Sequence, residues 1–157
     1  MRKPISLLCA AFSLTLFSMP VQASVKGEAC RSAVEGMQAT MARANGVQVS
    51  GVESFNPADL GFAPRDRTLG YTFSLVADSD TVNLLNSPVT MCNYAQQVAD
   101  GCHSVAMVTF WLDSEEGGWG ETYGVDEGDT MFKFNCIGSG SPEARQNPLP
   151  WGSVICG

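Results

Sequence analysis

The chain has 157 residues and a formal net charge of −7, with 9 basic residues against 16 acidic ones. So acidic a surface argues against binding to nucleic acid or to anionic lipid, because both need a face rich in Lys and Arg. A single histidine excludes multi-histidine zinc sites and leaves little for triad catalysis. The chain also has neither a Gly-x-Ser-x-Gly elbow nor a phosphate-binding Gly-x-x-x-x-Gly-Lys loop.

Residues 1–23 have the pattern of a cleaved export signal. Arg2 and Lys3 precede an apolar run from Ile5 to Phe17, which is too short for a comfortable membrane span, and Ala23 closes a small-residue cleavage motif. No later apolar run reaches the length of a membrane span, so we expect no membrane insertion after cleavage. The sequence therefore predicts an exported protein, periplasmic or secreted, with one domain at residues 24–157.

The first half of that domain predicts one helix and two strands. Glu28–Ala44 carries apolar residues at spacings of three and four, and Asn45-Gly46 supplies a stop. Val47–Val52 alternates with a slip of phase near Gly51, which indicates a strand with a bulge. Leu69–Leu75 alternates cleanly and predicts a half-buried strand.

The second half predicts a second helix and a run of strands. Ser87-Pro88 opens a helix that Gly101 ends. Apolar residues on both faces of Ser104–Leu112 predict a central strand. Short turns then favour a meander, with strands at Trp119–Val125 and Thr130–Cys136. Two further segments complete the prediction. One is a turn at Asp78–Asp80 with a short return strand at Thr81–Leu85, and the other is an irregular tail at 137–157. Trp151 in that tail either anchors it onto the sheet or is exposed and marks a binding surface, and we favour the anchor.

These elements predict an α+β fold. We expect a mostly antiparallel sheet of 5–6 strands with two helices packed on it, a C-terminal three-stranded meander and a tail tied by a disulfide.

Short motifs in residues 87–156 resemble exported cyanobacterial proteins of unknown function. They are Cys102-His103-Ser104-Val105 with Val108-Thr109-Phe110, Tyr123-Gly124-Val125, Phe134-Asn135-Cys136, and Pro150-Trp151-Gly152 before Cys156. The resemblance covers about half of the chain and implies a compartment, with no activity attached to it.

Five cysteines remain after the signal, so at least one stays outside an intramolecular disulfide. A helix between Cys92 and Cys102 would hold them about 15 Å apart, too far for a bond. Parallel outer strands of the meander would place Cys102 and Cys136 at opposite sheet ends. We therefore expect the pairs Cys136–Cys156 and Cys30–Cys92. Cys102 then remains a free thiol or forms a disulfide with another chain.

The turns of the meander are strongly acidic. Asp113, Glu115 and Glu116 lie in the first turn, and flexible loops with several carboxylates are the ligands that calcium prefers. The spacing departs from an EF-hand, because Gly124 occupies the position of the bidentate glutamate. A solvated acidic surface explains the same residues, so both interpretations stay open.

Three functions remain open on the sequence alone. The first is a monomeric exported binding or accessory protein, without catalysis or cofactor, that binds an unknown protein or small ligand. The second is a carboxylate-based hydrolase with His103 or Asp113 near a cleft. The third is a calcium-stabilised extracytoplasmic module.

Overall fold

A computed structural model of the chain describes residues 21–60, 64, 66–114 and 117–156. The predicted signal segment therefore lies almost wholly outside the described residues, and its cleavage stays a prediction. Within the described ranges, no helix is both long enough and apolar enough to cross a bilayer.

The described residues form an α+β fold, as predicted. Its helices and strands, in chain order, are α1 (Val21–Asn45), β1 (Val49–Phe55), β2 (Leu69–Val76), α2 (Ser79–Leu85), α3 (Pro88–Gly101), β3 (Val105–Asp113), β4 (Trp119–Val125), β5 (Met131–Lys133), β6 (Asn135–Gly138) and β7 (Ser153–Cys156). Short 3-10 turns lie at Pro57–Leu60 and Glu143–Arg145.

The main sheet has the order β1-β2-β3-β4-β5, and it is mixed. Strands β2 and β3 are parallel, and the other neighbouring pairs are antiparallel. The central pair is parallel because two helices between β2 and β3 carry the chain back across the sheet, as a parallel connection requires. Strands β6 and β7 form a separate parallel pair.

Helix α2 replaces the predicted turn and return strand. Asp78 caps it, since its Oδ1 accepts a hydrogen bond from the Thr81 backbone N–H at 2.7 Å, and this bond lowers the pKa of Asp78. Thr81, Leu84 and Leu85 point into the core at the helical spacing. The strand prediction for Thr81–Leu85 is wrong because seven residues are too few to distinguish the two periodicities.

Strands β3, β4 and β5 follow one another as an antiparallel meander, but β5 has only three residues. Side chains of α3 bind the backbone of Met131 at this sheet edge. Gln96 Oε1 accepts from the Met131 N–H at 2.7 Å, and the Cys92 thiol donates to the Met131 carbonyl at 3.2 Å. These bonds cover an edge that would otherwise offer unpaired backbone groups to another chain.

Helices α1 and α3 pack antiparallel on the inner face of the sheet. Ala33 in the middle of α1 contacts Gly101 at the end of α3, and Asn45 at the C-terminal end of α1 accepts a hydrogen bond from the Tyr94 hydroxyl. Gly101 allows this approach, because any Cβ there would overlap Ala33. The apolar side chains between the helices and the sheet form one continuous core.

Arg67 is a buried cation that joins three parts of the fold. Its side chain is only 6% exposed. The guanidinium donates to the Val105 carbonyl at 2.7 Å and to the Asp129 carboxylate at 2.6 Å. It therefore ties the segment before β2 to the start of β3 and to the turn between β4 and β5.

We expect Arg67→Met to lower the free energy of unfolding by about 1–3 kcal/mol, because the Val105 carbonyl loses its buried donor. Urea unfolding followed by circular dichroism measures the change. The exposed residue Arg31 provides the control, and Arg31→Met should have little effect. Equal stability of the two variants would contradict a stabilising role for the buried guanidinium.

Candidate functional site

The face of the main sheet opposite the helices is the candidate site, and we call it the outer face. The strand register places side chains on it in rows that run across the strands. One row alternates large and small residues: Phe55, Gly70, Met107, Gly124 and Phe132. A second row carries a carboxylate and three hydroxyls: Glu53, Thr72, Thr109 and Thr122.

Glycines on the outer face let aromatic rings lie against the backbone. The Phe55 ring covers Gly70, and the rings of Phe134 and Trp151 cover Gly124. A Cβ at either glycine would overlap the covering ring. The two glycines therefore leave the space that these rings occupy, because large side chains pack closely only against small neighbours.

The C-terminal tail lies on the outer face and is held there by Trp151. Its indole N–H donates to the Val125 carbonyl at 3.0 Å, and its ring meets the Phe134 ring edge-on at 4.9 Å between centroids. The predicted anchoring role of Trp151 is confirmed. The prediction of an irregular tail is wrong in part, because Ser153–Cys156 forms β7 beside β6.

An apolar cavity of about 280 Å³ lies between the tail and the outer face, and we call it the tail pocket. Its lining is formed by one residue of β3, one residue between β5 and β6, and six residues of the tail: Met107, Phe134, Leu149, Pro150, Trp151, Ser153, Val154 and Ile155. None of the described residues that line it is charged. The polar end of Trp151 is already bonded to Val125, so the pocket offers dispersion contacts and a single hydroxyl, from Ser153.

The outer face beyond the tail pocket is half-exposed and more polar. Thr109 lies two residues along β3 from Met107, which places the threonine row roughly 7 Å from the pocket floor. Thr109 and Thr122 share a hydrogen bond at 3.1 Å between their hydroxyl oxygens. Trp111 follows on the same face and is 40% exposed, with its ring over Gly118 and Gly120. An apolar pocket thus borders a flat surface of hydroxyls and one indole.

Two disulfides are present among the described cysteines, and they differ in exposure. Cys136–Cys156 joins β6 to β7, as predicted from the sequence, with the Cα atoms 5.6 Å apart. Cys136 is exposed. A closed loop of 20 residues corresponds to about 3 kcal/mol of stabilisation.

The second disulfide is Cys30–Cys102, so the predicted Cys30–Cys92 pair and the free Cys102 are both wrong. The prediction assumed that α1 and α3 lie with their starts together. They run antiparallel, so Cys102, the residue after the end of α3, meets Cys30 in the N-terminal half of α1, and Cys92 lies about 15 Å away along α3. The Cys30–Cys102 disulfide is buried, with Cys102 only 1% exposed.

Cys92 is the free cysteine among the described residues. It is half-buried, and its thiol donates to the Met131 carbonyl of β5. Burial raises the pKa of the Cys92 thiol, which opposes thiolate formation at neutral pH. The odd cysteine therefore has a structural contact and an environment that disfavours nucleophilic chemistry.

His103 borders a second and more polar cavity of about 240 Å³. Asp66, Ser104 and the Cys30–Cys102 disulfide also line it. Among the described residues, no hydrogen bond joins the His103 ring to Asp66 or Ser104, so the structure shows no aligned base and nucleophile there. Asp113 lies at the other end of β3, roughly 30 Å from His103 along the strand, so these two residues cannot share one cleft.

The calcium candidates are only partly described. Asp113 ends β3, whereas Glu115 and Glu116 lie outside the described residues. In the parts of the chain that the structure describes, no three His, Cys, Asp or Glu side chains converge on a metal-sized site. A calcium site in this turn stays a prediction.

Sequence reasoning missed the tail pocket, because its floor and its walls are distant in the chain. Met107 belongs to β3 and Ile155 to β7. Gly70 within Leu69–Val76 and Gly124 within Trp119–Val125 were the available signal. Glycine within a strand often marks a close approach by another group, and here the approaching groups are the aromatic rings.

Comparisons with protein-family models, with curated proteins and with solved structures find no match to this chain. The candidate site therefore rests on its own geometry.

Thiol mapping tests the revised disulfides. Without reduction, alkylation in denaturant should modify Cys92 and spare the other four cysteines from Cys30 onward. In the native protein, Cys92 should react more slowly than a small-molecule thiol at neutral pH and faster as the pH rises, because burial raises its pKa. Peptide mapping by mass spectrometry identifies the modified residue, and alkylated Cys102 would contradict the assigned pairing.

Packing on the outer face can be tested at a glycine. We expect Gly124→Ala to destabilise the protein by about 1–3 kcal/mol, because its methyl group displaces the Phe134 and Trp151 rings. Gly138→Ala is the matched control, since nothing lies within 4 Å of a Cβ at that position. Urea unfolding measures both. Equal loss in the two variants would contradict the ring-on-glycine packing.

Proposed function

We propose that this protein is an exported binding module that anchors one apolar group of a ligand or partner in the tail pocket. The observation that carries the proposal is the apolar cavity of about 280 Å³ between Trp151 and the outer face. Ligand sites are typically concave and largely apolar, with a few polar groups that fix orientation. The proposal includes export through the predicted signal at residues 1–23, which two disulfides support because disulfides persist in oxidising compartments.

The size of the tail pocket limits what it can hold. Typical pockets for drug-sized ligands begin at about 300 Å³, so this cavity fits a single ring or a short branched alkyl group. Burying roughly 150 Å² of apolar surface contributes about 4 kcal/mol before the entropy cost of association, so the anchor alone gives a Kd no tighter than about 1 mM. A tighter complex needs further contacts.

The threonine row and Trp111 supply those further contacts in the proposed complex. Thr72, Thr109 and Thr122 present hydroxyls that both donate and accept hydrogen bonds. The half-exposed indole of Trp111 offers a flat apolar surface beside them. We therefore infer a ligand with an apolar anchor and a polar, uncharged or cationic remainder, because Glu53 extends the row and the whole chain is acidic.

A binding role also agrees with the arrangement around the pocket. Among the residues that the structure describes in its lining, there is no carboxylate, histidine or free cysteine that could act as acid, base or nucleophile. The resemblance of residues 87–156 to exported cyanobacterial proteins of unknown function supports only the compartment in this proposal, and it supports no particular ligand.

We expect the protein to bind a neutral solvatochromic dye such as Nile red, with the small dialkylamino end in the tail pocket and the fused rings over the outer face beside it, and with enhanced and blue-shifted emission. Ile155 borders the pocket and is 51% exposed, so Ile155→Glu places a carboxylate at the pocket without disturbing the core. The dye should then bind about tenfold more weakly or worse, because an apolar group must displace water from that charge.

Val89→Glu is the matched control for this titration. Val89 lies on α3 and is 74% exposed, so the same charge is added away from the tail pocket. Its dye affinity should equal that of the wild type. Equal weakening in both variants, or an absence of dye binding to the wild type, would count against the proposed site.

A further inference from the structure

We propose that the Cys136–Cys156 disulfide is a redox latch that holds the tail pocket closed and that a thiol reductant opens. This inference rests on the binding function proposed above, and it adds a means of regulating that same site.

The latch lies directly in the wall of the pocket. Strand β7 contributes Ser153, Val154 and Ile155 to the lining, and the next residue is Cys156. The disulfide joins Cys156 to Cys136 on β6, which is the neighbouring strand. The position of β7, which forms this wall of the pocket, therefore depends on the Cys136–Cys156 disulfide at its end.

Little besides this link holds β7. It has four residues and pairs with one strand, and an isolated two-stranded sheet is marginal in water. Ile155 is half-exposed, so it adds little burial. The residues just before β7 are held independently, because Trp151 is bonded to Val125 and packed on Phe134.

Gly152 lies between Trp151, which is bonded to the sheet, and Ser153–Cys156, the segment that reduction of the disulfide would release. Its φ of 93° lies in the region that favours glycine. Once the disulfide is open, rotation at this residue can move Ser153–Cys156 away while Trp151 stays on the sheet. The consequence is a pocket that loses one wall and keeps its floor.

The two disulfides differ in their access to a reductant. Cys136 is exposed and Cys156 is half-exposed, whereas Cys30 and Cys102 are buried. A thiolate must reach a sulfur atom to react. Reduction should therefore open the tail disulfide first and leave the link between α1 and the end of α3 intact.

The chemistry needs two thiols from the reductant, as in a dithiol. One thiolate attacks Sγ of Cys136, the S–S bond breaks, and Cys156 leaves as a thiolate that takes up a proton. The second thiol, as its thiolate, then attacks the mixed disulfide and releases Cys136, which is protonated in turn. The protein gains two electrons and two protons, and the dithiol becomes a disulfide.

The oxidised full-length mature chain is titrated with dithiothreitol, alkylated and mapped, and Nile red affinity is measured at each stage. We expect Cys136 and Cys156 to be alkylated before Cys30 and Cys102. The apparent Kd should rise about tenfold or more with this first reduction, because only the fraction of molecules with a closed pocket binds. Reoxidation should restore the affinity.

A double variant, Cys136→Ser with Cys156→Ser, isolates the latch from the buried disulfide. It should show the same weak dye binding without reductant, and Cys92→Ser should bind as the wild type does. Circular dichroism checks that the double variant is folded. Unchanged dye affinity in the reduced protein and the folded double variant would overturn the latch, as would earlier reduction of Cys30–Cys102.

Hydrogen–deuterium exchange gives a readout that does not depend on the dye. Amides of residues 153–156 should exchange faster after the first reduction, while those of α3 stay protected. Unchanged exchange in residues 153–156 would overturn the latch on its own. An absence of dye binding to the oxidised wild type would instead overturn the binding function, so the two failures are distinguishable.

Discussion

The antiparallel contact of α1 with α3 is the constraint on which the rest of the structure depends. Gly101 lies against Ala33, and the adjacent Cys30–Cys102 disulfide closes a separation of 72 residues there. This contact fixes how α3 lies on the sheet. It thereby directs Gln96 and Cys92 onto the backbone of Met131 at the edge of β5.

The ending of β5 has a consequence for the outer face. Strand β5 pairs with β4 over three residues, from Met131 to Lys133, while Met131 also bonds to α3. Phe134 still donates its N–H to the Thr122 carbonyl, and the chain then continues as β6 beside the tail strand. The tail is thus placed over Gly124, where the Phe134 and Trp151 rings fit because the sheet has no side chain at that point. The tail pocket results from this sequence of contacts.

Several features could be predicted from the sequence because their causes are local. The helices around Met37 and Ala95 follow from apolar spacing, and the bulge near Gly51 from a slip of phase. The tail disulfide follows from proximity in the chain, since a loop of about 20 residues closes readily. By contrast, the pairing of Cys30 depends on the relative direction of two helices 40 residues apart, which no local pattern encodes.

The amino-acid sequence by itself determined the fold class, most helices and strands and the anchoring role of Trp151, and it carries the prediction of export. These depend on periodicity, turn residues and composition, which act over a few neighbouring residues. Only the tertiary structure decided the parallel pairing of β2 with β3, which of the described cysteines is free (Cys92), and the pocket between Met107 and Ile155. Each of these requires segments distant in the chain to meet, and the direction in which they meet is set by packing and not by any single segment.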